Sequence, residues 1–429
     1  MEKCIVFISP AALHMMDDCS IRYVKSMGFL SAVAIDRNIN CTLDVDFVIH
    51  TNTNHADTLI CDLAFFNQKH EIAGIVTYSD FHVEVTALAN QYFGLPGTNY
   101  NAVLKCKNKS LCRMALNKYG WKQPAYRVIS CLEDFRTALD EIGVPCVFKP
   151  INGMGSAFTM LIKDKKEACQ EFERLQQAKE SSVLGRETAL SSNWILEECL
   201  TGFQISVESF TCNGQTTILC IHDKLNPIVP PLFRVFYSAT PSSRISENLE
   251  AKIKEKTLLA LKAIGFNHGV AHTEFRVAEN EDVNLLEINA RTGGGLIIPS
   301  AYYSTGINLY TVAIDLALGR TPEITQNTKP YPVVFRVVYP PKSGKLVEFS
   351  GFEKLLADSD FQMVVISARE GDMVTEGERL ALILKKGYQG QTVDEIVKAI
   401  DEKVDTVKII VEKAETGNAL PSHINNSAH

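Results

Sequence analysis

Over the first hundred residues, short apolar runs alternate with stretches of helical periodicity. KCIVFIS (3–9) reads as a buried strand, followed by a loop and an amphipathic helix near 17–27. SAVAIDRN (31–38) and DFVIHT (46–51) read as two further strands, 55–70 as a helix, and EIAGIVTYSD (71–80) as a strand with a polar residue at its end. Strands alternating with helices predict a parallel, doubly wound sheet, closed by the turn residues GLPGTN at 94–99. From Asn101 the pattern changes. NKSLCRMALNKYG (108–120) is helical, and VPCVFKP (144–150) and WILEEC (194–199) are strands. ISVESFTCNGQTTILCIHDK (205–224) holds two β-rich runs separated by Asn-Gly, a hairpin signal. A helix at 248–264 precedes the strands HTEFRV (272–277) and VNLLEINA (283–290), joined by the acidic turn AENED. The stretch 330–415 carries short β runs, Gly-bounded turns and a helix near 392–403, and the tail after Glu415 is expected to be flexible.

Composition narrows the class. With 429 residues the chain is too long for one core and suits two to four packed subdomains. Hydrophobic residues at 46% and charged residues at 22% are globular values, and a formal charge of -7 argues against nonspecific nucleic-acid binding. The twelve Cys are scattered without a CxxC pair, as expected of reduced thiols in a cytoplasmic enzyme. The N-terminal apolar run is too short for a signal segment, and no stretch reaches the length of a membrane span, so no membrane association is expected.

Three segments carry chemistry. In LLEINARTGGG (285–295), Glu287 and Asn289 are two apart on a strand and share a face. Two oxygen donors there suit Mg²⁺, and Glu274 on the neighbouring strand can meet them across the sheet. Arg291 falls on the same face as a fixed positive charge, and Gly293, Gly294 and Gly295 allow a close backbone approach. The plainer reading is a half-buried strand with a solvated polar face. In VFKPINGMGSAF (147–158), Lys149 ends an apolar strand before a Gly/Ser loop, which reads as a phosphate grip or as a surface turn; it is not a P-loop, because no GK[ST] follows. In WILEECLTG (194–202), acidic residues flank an apolar strand that can serve as a nucleotide hinge or an ordinary edge.

Taken in order, these features resemble the ATP-grasp superfamily over roughly 1–415. The resemblance implies a pre-ATP-grasp α/β domain at 1–100 and then a two-lobed α+β clamp on ATP and Mg²⁺, for which Mn²⁺ can substitute. It divides the rest into an N-lobe at 101–205 (its small central part about 130–205), a C-lobe with the metal site at 206–325, and a C-terminal α+β subdomain at 326–415 ahead of a tail at 416–429. It assigns phosphate contacts to Lys109 and Lys149, and the glycine loop to 152–158, including Gly153, Gly155, Ser156 and Ala157. Glu197, Glu198, Cys199 and Leu200 match the adenine hinge, with backbone groups of the last two making most of the bonds. Glu274, Glu287 and Asn289 match the metal ligands, and Arg291 the residue that steadies an acyl phosphate. Gln204 stands where the family has a ribose-binding Glu, with Glu208 as a spare acceptor on the same face.

Within the superfamily, HTEFRV followed by LEINARTGGG is most similar to L-amino-acid ligases of the bacilysin-type dipeptide synthetase and dapdiamide synthase kind. This implies small-molecule carboxylate and amine substrates, joined through an acyl phosphate with release of ADP and phosphate. Specificity is expected in 222–241. His222 and Lys224 are candidates to touch phosphate or substrate; Arg234 and Tyr237, beside Phe236, stand about where relatives carry an acidic residue and a His. Arg234 is read either as a carboxylate clamp or as a solvated side chain. His272 is expected on the opposite side of its strand from Glu274, as a packed core residue. Homodimers are common among similar enzymes. The competing expectations are a biotin-carboxylase-like or purine-pathway ligase, and a non-catalytic nucleotide-binding module.

Overall fold

The computed structural model describes residues 2–8, 18–153, 158–181, 193–225, 234–325, 327 and 329–413, with backbone alone at 18, 167 and 178–181. The predicted strands of the first hundred residues form a parallel sheet in the order β3-β2-β1-β4, where β1 is Lys3–Ile8, β2 Leu30–Asp36, β3 Phe47–Thr51 and β4 Glu71–Val76. Strands β1 and β2 are buried on both faces, which is why they read as continuous apolar runs, whereas β3 at the sheet edge exposes Val48 and His50. The chain leaves β4 at its C-terminal end, where open α/β sheets place ligands, and this end carries Asp80.

Three helices follow β4: Val83–Phe93 and then a closely spaced pair. Tyr100–Lys107 is capped by the Asn99 side chain, and Lys109–Lys118 by that of Asn108, whose extended backbone breaks the helical path between them. The 108–120 pattern predicts the second helix of the pair only.

The small lobe is an antiparallel sheet in the order β5-β8-β6-β7, built from β5 Tyr126–Ile129, β6 Cys146–Pro150, β7 Met160–Ile162 and β8 Trp194–Glu198. Phe135, Phe148, Phe172 and Trp194 pack as its aromatic core, with Phe148 stacked on Trp194 at 4.7 Å. Each of these rings, fully buried, contributes roughly 1.5–3 kcal/mol.

The large sheet is, among the described residues, eight-stranded in the order β13-β12-β9-β10-β11-β14-β18-β16. Its strands are β9 Phe203–Cys212, β10 Gln215–Lys224, β11 Tyr237–Thr240, β12 Gly269–Val277, β13 Val283–Asn289, β14 Val333–Val338, β16 Met363–Ile366 and β18 Ala381–Lys386. Strands β9 and β10 form the predicted hairpin; Asn213 and Gly214 take φ of 50° and 81°, the left-handed pair that a two-residue turn needs to match strand twist. One face of β9, β12 and β13 buries Ile205, Val207, Phe275, Leu285 and Ile288 against Leu249, Ile253 and Leu261 of the helix Glu247–Ile264. Alternation sends the polar residues to the other face, toward the small lobe. The segment 330–413 divides in two. Strands β14, β18 and β16 continue the large sheet through β11, while β15 Gly344–Ser350, β17 Met373–Val374 and β19 Lys408–Glu412 make a separate three-stranded sheet.

Candidate functional site

Strands β12 and β13 pair antiparallel with Glu274 opposite Glu287 and His272 opposite Asn289. The two carboxylates and the carboxamide therefore meet on one face of the sheet. Each carboxylate already attracts a cation: Lys224 Nζ lies 2.8 Å from Glu274, and Lys109 Nζ 3.8 Å from Glu287. Asn289 donates to Glu287 at 3.4 Å, and Gln204 to the second oxygen of Glu274 at 2.6 Å. Two carboxylates, each beside an ammonium group, and an amide oxygen are hard donors that fit Mg²⁺. Glu274, Glu287 and Asn289 are the residues that would hold it.

Behind Glu274 runs a buried polar chain. His272 lies on the same face as Glu274, not on the opposite one, because residues two apart in a strand point the same way. Its Nε2–H donates to Glu274 at 3.0 Å and its Nδ1–H to Glu208, whose other oxygen accepts the Gly293 N–H at 3.0 Å. Burial pushes the imidazole down, but the carboxylates of Glu208 and Glu274 outweigh it and raise it to about 9, so the ring is charged at neutral pH. Glu208 is 1% exposed with both oxygens engaged, so it is no spare acceptor for a ribose. It braces the glycine loop instead.

Gly293 is required there by shape. A β-carbon built on it would lie 2.5 Å from Ile297 Cγ2, 2.7 Å from His272 Nδ1 and 2.9 Å from Glu208. At Gly294 the nearest atom would be Arg291 Nη1 at 4.0 Å. Gly293→Ala is thus expected to cost about 1–3 kcal/mol by overpacking. Gly294→Ala should stay within about 0.5 kcal/mol. Urea denaturation of the two variants checks the contrast; equal losses would contradict it.

Above the sheet the positive groups gather. Lys109 is buried, donates to the Gly153 carbonyl at 3.0 Å, and is lowered in pKa by desolvation, which Glu287 partly offsets. Lys149 is held by Glu197 at 2.6 Å, and Glu197 by Arg113 at 2.8 Å. Arg113 also donates to Gln123 and to the carbonyls of Leu285 and Leu286, fastening the helix Lys109–Lys118 to β13. Burial would raise the Glu197 carboxyl, but Arg113 and Lys149 hold it well below the usual carboxylate range. Its side chain is 4% exposed, so Glu197 positions Lys149 instead of contacting a base. In the hinge that follows, the Glu198 N–H donates to Ala125 and the Cys199 N–H to Pro145. The Cys199 carbonyl and the Leu200 N–H have no backbone partner among the described residues. Of the glycine loop, Gly155, Ser156 and Ala157 lie outside the described residues.

Arg291 reaches across to the first sheet. It pairs with Asp80 and donates to the Thr292 carbonyl at 2.6 Å. Desolvation raises Asp80, and Arg291 more than reverses this. Lys107 donates to the Asp80 carbonyl at 3.0 Å. Asp80, Lys107, Gly153, Glu287 and Asn289 line one cleft at the junction of the parallel sheet and the two lobes.

Residues 142–300, which hold most of these groups, match the sequence model of the ATP-grasp domain. The chain carries an ATP-grasp domain. It is 29% identical over 282 residues to alanine–anticapsin ligase of Bacillus subtilis strain 168, covering 62% of this chain and 59% of that protein. The chain spans between 54% and 59% of the length of the alanine–anticapsin ligases it matches. Its fold is similar to the crystal structure of an L-amino acid ligase from Bacillus licheniformis, with a TM-score of 0.83 at 20% identity over 96% of this chain and 99% of that one. It is also similar to the biotin carboxylase domain of the Hydrogenobacter thermophilus 2-oxoglutarate carboxylase, in complex with MgADP and bicarbonate (TM-score 0.71, 15% identity, 96% and 91% covered). Both likenesses concern the fold. Among the described residues no helix is long and apolar enough to cross a membrane.

Around the ATP-grasp domain, the stretch 222–241 is placed differently from expectation. His222 is fully buried between Thr240 and Cys220, and burial pushes it down to about 4, so it is a neutral core group and not a phosphate contact. Arg234 pairs with Glu376 at 3.2 Å and lies over the Tyr339 ring. Tyr237 donates to Asp401, which also pairs with Arg336. Both side chains thus tie β11 to the C-terminal segment instead of presenting a substrate pocket. Residues 226–233 lie outside the described residues. Sequence reading missed the site roles of Asp80, Lys107 and Arg113, of which the polar end of the 71–80 strand and the helical spacing of Arg113 from Lys109 left a trace.

Proposed function

We propose that the protein is an ATP- and Mg²⁺-dependent carboxylate–amine ligase that joins one amino acid to another. The observation that carries this reading is the facing of Glu274 and Glu287, with Asn289, beneath Lys109 and Lys149. Bound there, Mg²⁺ (or Mn²⁺, with similar oxygen preference) would add positive charge on the phosphate oxygens. Lys109 and Lys149 neutralise further charge on the nucleotide, and the Cys199 carbonyl and Leu200 N–H offer the pair of hinge groups that an adenine edge needs. Gln204 and Lys224, which both bond Glu274, set its orientation.

In the first step a carboxylate oxygen of the donor amino acid attacks the γ-phosphorus, and the bond to ADP breaks. In the second, the amine nitrogen of the acceptor attacks the acyl carbon, loses a proton and expels phosphate. Arg291 is held by Asp80 and Thr292 beside the glycine loop, where its charge can stabilise the acyl-phosphate oxygens. The test is a phosphate-release screen of amino-acid pairs with Mg²⁺-ATP, followed by mass spectrometry. Release that needs two amino acids and yields their amide supports the proposal. Release that needs bicarbonate instead would assign the protein to carboxylation.

A further inference from the structure

Two guanidiniums bracket the glycine loop. A β-carbon built on Gly294 would lie 4.0 Å from Arg291 Nη1, and one built on Gly295 would lie 3.6 Å from Arg379 Nη1. The two differ in their partners. Arg291 is paired with Asp80 and keeps its charge. Arg379 comes from the loop before β18, is only partly exposed, and among the described residues has neither an ion-pair partner nor a hydrogen bond. The acids nearest to it in sequence are otherwise engaged: Glu376 pairs with Arg234, and Glu378 accepts the Thr375 N–H. A partly exposed guanidinium with no counter-charge among the described residues favours an anion beside it. Gly295, at φ of 66°, carries no side chain and leaves the space beside the guanidinium open.

We propose that Arg379 binds the free carboxylate of the second, amine-donating amino acid. This rests on the ligase reading above. Arg291 and the glycine loop define where the acyl phosphate forms, so an anion site one residue further along the loop lies next to the acyl carbon. An α-amino acid carries its amine and carboxylate on the same carbon, and anchoring the carboxylate at Arg379 brings the amine to that carbon. The planar guanidinium matches a carboxylate with two parallel hydrogen bonds. The acceptor class is therefore α-amino acids with a free carboxylate, not their amides or simple amines, and the product keeps a free C-terminal carboxylate. Arg379 lies outside the 142–300 match, on the segment that β11 joins to the ATP-grasp sheet.

The experiment compares L-alanine, L-phenylalanine and L-lysine as acceptors with their C-terminal amides, using the full chain and its Arg379→Gln and Arg379→Lys variants. Wild type is expected to favour acid over amide at least tenfold in kcat/KM. Arg379→Gln should bring that ratio close to one, and Arg379→Lys should restore part of it. An unchanged ratio in Arg379→Gln, or a parallel loss with acid and amide, would overturn the assignment. Calorimetric titration of the same acids and amides in the presence of Mg²⁺ and ADP separates this from failure of the ligase reading. If wild type turns over no pair, the ligase reading fails, and the titration alone decides for Arg379. Acid binding weakened tenfold by Arg379→Gln then upholds the carboxylate site; absence of any acid–amide difference overturns it.

Discussion

Replacing Glu287 with alanine is expected to slow ATP turnover by roughly 10³-fold while leaving the fold intact, the scale of losing one group that stabilises developing charge. The side chain is 26% exposed and holds no buried cation alone, since Lys109 also donates to the Gly153 carbonyl. Its removal therefore takes away an oxygen donor on the β12–β13 face without opening the core. Phosphate release and a thermal melt, measured together, check both halves of the expectation. Turnover within tenfold of wild type would contradict the placement of the metal at Glu274, Glu287 and Asn289.

The second large effect concerns Glu197. The change Glu197→Gln would leave Arg113, 2% exposed, without its carboxylate, and would release Lys149. Removing one partner of a buried pair costs about 3–5 kcal/mol. For a lobe of roughly 60–100 residues that lowers its melting temperature by about 10–40 °C. Converting both Arg113 and Glu197 to methionine should cost less than the sum of the single changes, because it removes the buried guanidinium that Glu197→Gln strands and leaves only Lys149 without its carboxylate. The same carboxylate sets an acid limit. Its pKa is depressed in the folded protein, so its contribution is fully present above the ordinary value of 4.5 and is lost as pH falls through the folded value. Acid unfolding of wild type should therefore steepen below about pH 4.5, and Glu197→Gln should flatten that limb. A melt of Glu197→Gln within about 2 °C of wild type would show that the triad carries little stability.

Much of the frame is legible in local sequence. Period-2 and helical patterns mark the parallel sheet, the Asn213–Gly214 hairpin and the strands of Lys149, Glu274 and Glu287, because each is fixed by side-chain alternation or turn geometry within a few residues. The spacing of Glu287 and Asn289 places both on one face for the same reason. Partners far apart in the chain leave no such mark. Asp80 meets Arg291 across 211 residues, and Arg113 meets Glu197 across 84, through the packing of separate units. The joining of β11 to β14 is equally nonlocal, and it turns Arg234 and Tyr237 toward Glu376 and Asp401. Glu197 and Glu208 look alike in the sequence as free acids near a nucleotide; burial beside cationic partners makes them positioning groups. His272 was within reach of local reasoning, since its spacing from Glu274 alone places the two side chains on one face.

The most direct test of acyl-phosphate formation follows oxygen. The donor amino acid is supplied with both carboxylate oxygens as ¹⁸O, and the products of one turnover are examined by mass spectrometry. Attack of the carboxylate on the γ-phosphorus predicts one ¹⁸O in the released inorganic phosphate, with ADP as the nucleotide product. Label in AMP, accompanied by pyrophosphate, would contradict it.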